Sequence, residues 1–189
     1  MTVKIVPYNE DWPAEFQEIA QVLRRSLGDS AQRIDHIGST SVPGLAAKDV
    51  IDIQITVAKY DGRLVEDLIR LGYTQSGDVW NDHVPPLFGG SETEWEKLYF
   101  HAPQKQRRTH THVRVMGRAN QRYALLFRDY LRRHPATAEA YAELKRRLAN
   151  NLAEPDTYPD VKDPAVDLIY FAAEYWANAT NWQPGPSDA

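Results

Sequence analysis

The strongest constraint on the fold is the run from Asp35 to Ile55. There a turn of small and hydroxyl residues, Gly38-Ser39-Thr40-Ser41, leads through Val42-Pro43-Gly44 into an alternating segment. Successive side chains of a strand point to opposite faces, so Val50, Asp52, Gln54 and Thr56 share one face and Ile51, Ile53, Ile55 and Val57 the other. The apolar face demands a core. The polar face of so apolar a strand is expected to look into a cleft, which places Asp52 there. A turn of small residues lets backbone N–H groups approach a phosphate, and Ser39, Thr40 and Ser41 add hydroxyl donors. A carboxylate shortly downstream is suited to hold a divalent cation against that phosphate. Two readings stand at this point: a nucleotide–metal site, or a structural turn entering an ordinary strand.

The chain has 189 residues, enough for one domain with a substantial core. With 22 basic and 26 acidic side chains its formal charge is −4, which argues against a general nucleic-acid binder. A local basic patch exists at Lys105, Arg107 and Arg108. The absence of cysteine excludes disulfides, zinc–thiolate sites and cysteine nucleophiles, and fits a reducing cytosol. Met1 to Val6 lacks the apolar run of a signal peptide, and no apolar run approaches the ~20 residues that span a bilayer. The expectation is a cytoplasmic protein with a small-molecule partner. No repeat or linker divides the chain, so residues 1–177 are expected to form a single domain and 178–189 a mobile tail.

Val3 to Val6 reads as a short edge strand. A helix follows, with Asp11 as its N-cap, Pro13 in the first turn and Phe16, Ile19, Ala20, Leu23 and Leu27 on one buried face, closed by Gly28. Arg33 to Ile37 reads as a strand, and His36 within it as a structural hydrogen-bonding residue. Asp61 opens a short helix carrying Leu64, Val65, Leu68 and Leu71, and Tyr73 to Gln75 begins another strand. Residues 76–94, with Gly77, Asn81, Pro85, Pro86, Gly89 and Gly90, read as a long irregular loop of the kind that often carries function. Its Trp80, His83 and Phe88 either line a substrate or anchor the loop, and the second role is favoured.

Trp95 to His101 and Thr109 to Met116 read as strands joined by the basic hairpin. His110, His112 and Arg114 project from one face of the second. Neutral histidine binds transition metals and arginine binds phosphate or carboxylate bidentately, which favours a functional role, above all for His112. The remainder reads as helical: Asn120 to His134; a helix capped by Thr137 and running to about Leu152; and a last helix opened by Asp163 and Pro164. Arg128 lies among apolar residues and so requires an acidic partner or a cleft, whereas Lys145 and Arg146 are assigned to a solvated face. Helices alternating with strands around the Gly-Ser turn imply a mixed sheet with helices packed on it.

Several of these segments resemble the GrpB family: Tyr8, Trp12-Pro13 and Phe16; His36 through Leu45; Ala47-Lys48 with Ile51-Asp52-Ile53; His110-Thr111-His112-Val113; and Phe127 through Leu131 with His134-Pro135, Tyr141 and Leu144-Lys145. The resemblance spans residues 3 to 175 in order. It implies an α+β fold, a mixed β-sheet flanked by helices with a helical C-terminal part, similar to nucleotidyltransferases of the DNA polymerase β superfamily. It also implies a link to coenzyme A metabolism, because the family occurs fused to dephospho-coenzyme A kinase. In that superfamily a Gly-Ser turn holds a triphosphate, and three acids on two strands hold two Mg²⁺ for in-line nucleotidyl transfer. Carried over, Gly38 and Ser39 match the turn and Asp52 the first acid, while Gln54 stands at the second acid position and His112 is the likeness's best candidate for the third. The implied function is a nucleotidyltransferase-like enzyme in which Gly38, Ser39, Thr40, Ser41, Lys48 and Arg128 bind phosphate. Asp52 and His112 would be catalytic, with Asp52, Gln54, His110 and His112 around a divalent metal (Mg²⁺ or Mn²⁺, or Zn²⁺). The alternative is a domain without catalysis that binds a nucleotide or phosphorylated metabolite. A missing second acid favours this alternative, since Mg²⁺ prefers hard oxygen ligands.

Overall fold

A computed structural model describes every residue other than 1, 2, 78, 79, 87, 89 and 90, so Gly89 and Gly90 of the expected loop lie outside the described residues. Among the described residues, five α-helices and six strands follow in the order α1 (Trp12–Leu27), β1 (Arg33–Ile37), β2 (Ile51–Val57), α2 (Gly62–Arg70), β3 (Thr74–Gln75), β4 (Trp80–Asn81), β5 (Glu96–His101), β6 (Thr109–Val115), α3 (Ala119–Arg133), α4 (Pro135–Asn151) and α5 (Tyr158–Thr180). The sheet runs β1-β2-β6-β5-β3, with β4 paired to β5. β2 and β6 are parallel and the other pairs antiparallel, so the expected mixed sheet is present.

The two faces of β2 divide the molecule. Ile51, Ile53, Ile55 and Val57 join Ile34, Phe100 and Val113 under α1 and α2, where Trp12, Phe16, Leu23, Leu64 and Leu68 are fully buried. Each such side chain contributes about 1.5–3 kcal/mol on leaving water. α3, α4 and α5 cover the other face and pack on one another through Leu126, Leu131, Tyr141, Tyr170 and Ala173. The parallel pairing sets Asp52 beside His110 and Gln54 beside His112, all under the three helices.

Several local expectations are corrected. Val3 to Val6 forms only a single bridge, between Val6 and Ala47. Asp11 makes no side-chain cap; the Asn9 carboxamide oxygen accepts the Asp11 N–H instead (3.0 Å). α4 starts at Pro135, whose missing N–H suits a first turn, so Thr137 lies inside the helix. α5 starts at Tyr158, ahead of the expected Asp163, because Pro159 takes the first-turn place. Pro164 sits deeper in the helix, where it removes one backbone hydrogen bond.

Residues 181–189 are docked along β1, contrary to the mobile tail expected. Ala189 N–H donates to Ile34 O (3.1 Å), Ser187 Oγ accepts the Ile34 N–H (2.8 Å), and the Asp188 carboxylate accepts the His36 N–H (2.9 Å). These bonds occupy polar groups that an edge strand otherwise leaves unpaired. Among the described residues, no helix is long and apolar enough to cross a membrane.

Candidate functional site

The turn between β1 and β2 is built around Gly38. Its φ of 70° and ψ of −172° lie in a region essentially reserved for glycine. A Cβ there would stand 2.8 Å from Asp52 Cγ, so the glycine also makes room for the carboxylate. Ser39–Ser41 then form one turn of 3₁₀ helix. Thr40 Oγ1 donates to Val50 O (3.2 Å), so it accepts from the His36 Nε2–H at 3.0 Å. His36 stacks on Phe16, and burial holds its imidazole down at about 4, hence neutral at physiological pH. It is a structural residue, as the sequence suggests. Ser41 Oγ donates to Gly38 O (2.6 Å). Two of the three expected phosphate-binding hydroxyls therefore hold the turn itself, and Ser39 alone is turned to a neighbouring helix.

That neighbour is Lys145 on α4. Its Nζ donates to Ser39 Oγ (2.8 Å) and Ala46 O (2.5 Å), and the residue is only 3% exposed. Burial, with Lys162 nearby, pushes its ammonium down to about 7, against the opposing pull of Asp52. Among the described residues no carboxylate lies within ion-pair distance of it. The solvated face assigned to Lys145 from sequence is thus a correction, whereas Arg146 does pair with Glu139 at the surface. Lys48 reaches the same space with its Nζ 4.1 Å from the centre of the Tyr158 ring, and burial lowers its ammonium as well.

These groups line a cavity of about 490 Å³ between the polar face of the sheet and helices α3, α4 and α5. Asp52, His110 and His112 form part of its sheet side, and Tyr123, Phe127, Tyr141 and Tyr158 part of its helical side. The sequence pairs Asp52 with His112, but the hydrogen bond runs from Asp52 Oδ1 to His110 Nδ1 (3.0 Å). His112 lies against Tyr99, and its buried Nδ1 has no partner among the described residues. Burial, together with Arg114 and Lys97, lowers His112 well below the ordinary histidine value and keeps the ring neutral.

Two assigned residues are elsewhere. Gln54 is fully buried and does not line the cavity; its Nε2 donates to Gln121 O (3.1 Å) and its Oε1 accepts from Arg114 (2.6 Å), so its oxygen faces a guanidinium, a neighbour that repels a metal ion. Arg128 lies outside the cavity, behind the turn, donating to His36 O (3.1 Å), Asp129 (2.7 Å) and Asp188 (2.7 Å). Its acidic partners are the ones a buried guanidinium requires, and they leave it no part in the cavity.

Asp82 is a site residue that sequence reasoning missed. It accepts from Arg114 (2.8 and 3.0 Å), Lys97 (2.5 Å) and Asn120 (3.0 Å). Burial pushes the Asp82 carboxyl up, but Arg114 and Lys97 outweigh it and hold it well below the usual carboxylate range. No periodicity marks Asp82, which stands in an irregular segment. Lys145 did carry a signal: with Ala138, Tyr141 and Ala142 it follows the i, i+3, i+4, i+7 spacing of a buried helix face. In the same loop His83 pairs with Asp167 on α5 (2.9 Å) and Phe88 packs on Trp95 and Tyr170, so both anchor the loop.

The donor set does not fit the two-metal arrangement implied by the resemblance. Among the described residues no group of three or more histidines, aspartates or glutamates is placed to hold a metal ion. One oxygen of Asp52 is bonded to His110, Gln54 is spent, and both oxygens of Asp82 face cations. The cavity is instead cationic, with Lys48, Lys97, Arg114, Lys145 and Lys162 against Asp52, Asp82 and Asp163.

Known proteins are similar to this chain in sequence and in fold. The family model described as GrpB protein matches residues 2–171. A dephospho-CoA kinase of Mycolicibacterium paratuberculosis is 36% identical over 96% of this chain and 48% of its own length. The UPF0157 protein YqkA of Bacillus subtilis is 34% identical over 99% of this chain and 50% of its own. The chain therefore spans about half the length of these relatives. The crystal structure of GrpB from Enterococcus faecalis superposes with a TM-score of 0.71 at 31% identity, covering 92% of this chain and 99% of that one. Cid1 in complex with its short product ApU superposes with a TM-score of 0.51 at 13% identity over 76% of this chain and 42% of its own, a likeness of fold alone. The match of the family model along nearly the whole sequence, together with the likeness to the solved GrpB structure, makes this chain a member of the GrpB family.

Proposed function

We propose that the cavity binds a nucleotide or a phosphorylated metabolite, with its phosphate against Ser39, Lys48 and Lys145. One observation carries this reading: the buried Lys145 ammonium is hydrogen-bonded to Ser39 and has no carboxylate partner among the described residues. A buried charge without a counter-ion is costly, and an incoming anion relieves that cost. The aromatic wall of Tyr123, Phe127, Tyr141 and Tyr158 supplies apolar surface for the rest of the ligand. Metal-dependent nucleotidyl transfer to a small-molecule acceptor draws on the likeness of fold but finds no support in Gln54. A transfer reading keeps one point in its favour, the Asp52–His110 pair on the cavity wall, which is suited to accept a proton.

The test is a panel of nucleoside triphosphates, nucleoside monophosphates, coenzyme A and dephospho-coenzyme A, each with and without Mg²⁺ or Mn²⁺. The two coenzyme forms are included because of the name carried by the mycobacterial relative. A ligand present at 100 times its Kd adds about 2.7 kcal/mol, or about 5–10 °C in Tm for a domain of this size. Stabilisation that disappears in Lys145→Met is the expected result, and pyrophosphate release abolished by Asp52→Asn would establish transfer. No stabilisation by any of these anions sinks the reading.

A further inference from the structure

Arg114 is fixed inside the sheet side of the cavity as a built-in cation. It donates to Gln54 Oε1 (2.6 Å) and with two nitrogens to Asp82 (2.8 and 3.0 Å). Lys97 donates to the same carboxylate (2.5 Å). Two fixed positive charges thus meet one negative charge, and this lattice already holds the oxygens that a divalent ion would need. Asp163, the remaining carboxylate of the lining, lies 3.4 Å from Lys162 Nζ. Asp52 Oδ2 and Asp163 Oδ2, the latter 3.9 Å from His83 Nδ1, are left as the lining carboxylate oxygens with no hydrogen bond from a cation or histidine among the described residues. A divalent ion entering here would meet two such oxygens, on different residues and each beside a cation or histidine, and a surplus of positive charge, whereas hard cations take six or more oxygen ligands.

Resting on the reading that the cavity binds phosphate, we infer that it takes the ligand as a metal-free anion, a phosphomonoester with an aromatic body such as a nucleoside monophosphate. Lys145, Lys48 and Ser39 meet the phosphate directly, while Lys97 and Arg114 supply the fixed positive field. A monoester fits this role because it binds Mg²⁺ weakly and stays largely free, whereas a triphosphate chelates the ion and brings it along. The Lys145 and Lys48 ammonium groups lie over the Tyr141 and Tyr158 rings (4.6 and 4.1 Å), and Tyr123 and Phe127 of α3 line the same cavity as the surface against which a base would lie.

Isothermal titration of the full chain with each nucleoside monophosphate, and with ATP, in EDTA and in excess Mg²⁺ tests this. The expected result is a monophosphate that binds in EDTA, changes in affinity by less than about twofold with Mg²⁺, and weakens roughly tenfold or more in Lys145→Met. Lys145→Arg, which retains the charge, should recover part of that loss, and an unchanged or raised Tm of Lys145→Met shows that the variant is folded. Binding of a triphosphate only with Mg²⁺ overturns the inference and leaves the phosphate reading standing. Preference for the free triphosphate overturns the monoester assignment. No binding of any anion in either condition overturns both the inference and the reading beneath it.

Discussion

Lys145 Nζ on α4 donates to Ser39 Oγ in the turn between β1 and β2, a contact of 2.8 Å across 106 residues of sequence. It ties the helical half of the molecule to the sheet at the mouth of the Gly38 turn. It also leaves an ammonium under α4 with no counter-ion among the described residues, and the ligand proposed above is one that supplies the charge.

The first prediction concerns stability against pH. Burial lowers the folded-state pKa of Lys145 to about 7 from its ordinary 10.5. Between those values the unfolded chain binds more protons at this residue, so its cost to the fold is complete below pH 7 and relieved as pH rises toward 10.5. Lys145→Met should be more stable than the parent near pH 6.5, on the order of a few kcal/mol, and the difference should shrink through pH 9. Urea denaturation of both proteins over this range measures it.

An anion at Lys145 reverses that balance by favouring the charged form. Its affinity should therefore fall as pH rises above 7, with uptake of up to one proton on binding. Sulfate serves as the probe because its own charge is constant over the range. Calorimetry in buffers of different ionisation enthalpy reports the proton directly, and a flat pH profile would remove Lys145 from the site.

Gly38→Ala should be among the costlier single substitutions. The backbone conformation alone penalises a side chain by about 1–3 kcal/mol, and the added methyl collides with Asp52. A loss of roughly 2–4 kcal/mol in denaturant unfolding is expected, together with loss of ligand binding as Asp52 is displaced.

Asp82→Asn should destabilise the protein by about 3–5 kcal/mol, because Arg114 and Lys97 lose the carboxylate that compensates them in a mostly buried setting. The folded-state carboxyl is held below the ordinary range, so its contribution is present in full above that range and is lost as pH falls from there through the lower folded-state value. The stability gap between the parent and Asp82→Asn should narrow on acidification below about pH 4.

Asp188→Ala should loosen the segment that lies along β1. Arg128 keeps Asp129, so the cost is that of one charged hydrogen-bonding group, about 1–3 kcal/mol. Hydrogen exchange at the His36 amide, which donates to Asp188, should accelerate in the variant while the centre of β2 stays protected.

Much of the architecture is local in origin and was legible in the sequence. The alternation from Val50 to Val57 sets which residues of β2 face the core, because the period of a strand is two and one face is wholly aliphatic. The spacing of Phe16, Ile19, Leu23 and Leu27 defines the buried stripe of α1 for the same kind of reason. Gly38 marks the turn, since few other residues adopt its backbone geometry.

The composition of the cavity was decided only by tertiary packing. Which histidine meets Asp52 depends on the register of β6 against β2, and parallel pairing chose His110 over His112. Whether a lysine on α4 is solvated or buried depends on how three helices cover the sheet. Those helices enclosed Lys145 and excluded Arg128, which packing set behind the turn on Asp129 and Asp188. Asp82 entered from an irregular segment to compensate Arg114 and Lys97. Local pattern specifies the direction of a side chain within its own element, while charge pairing and burial depend on residues far apart in the chain, and these decided the character of the site.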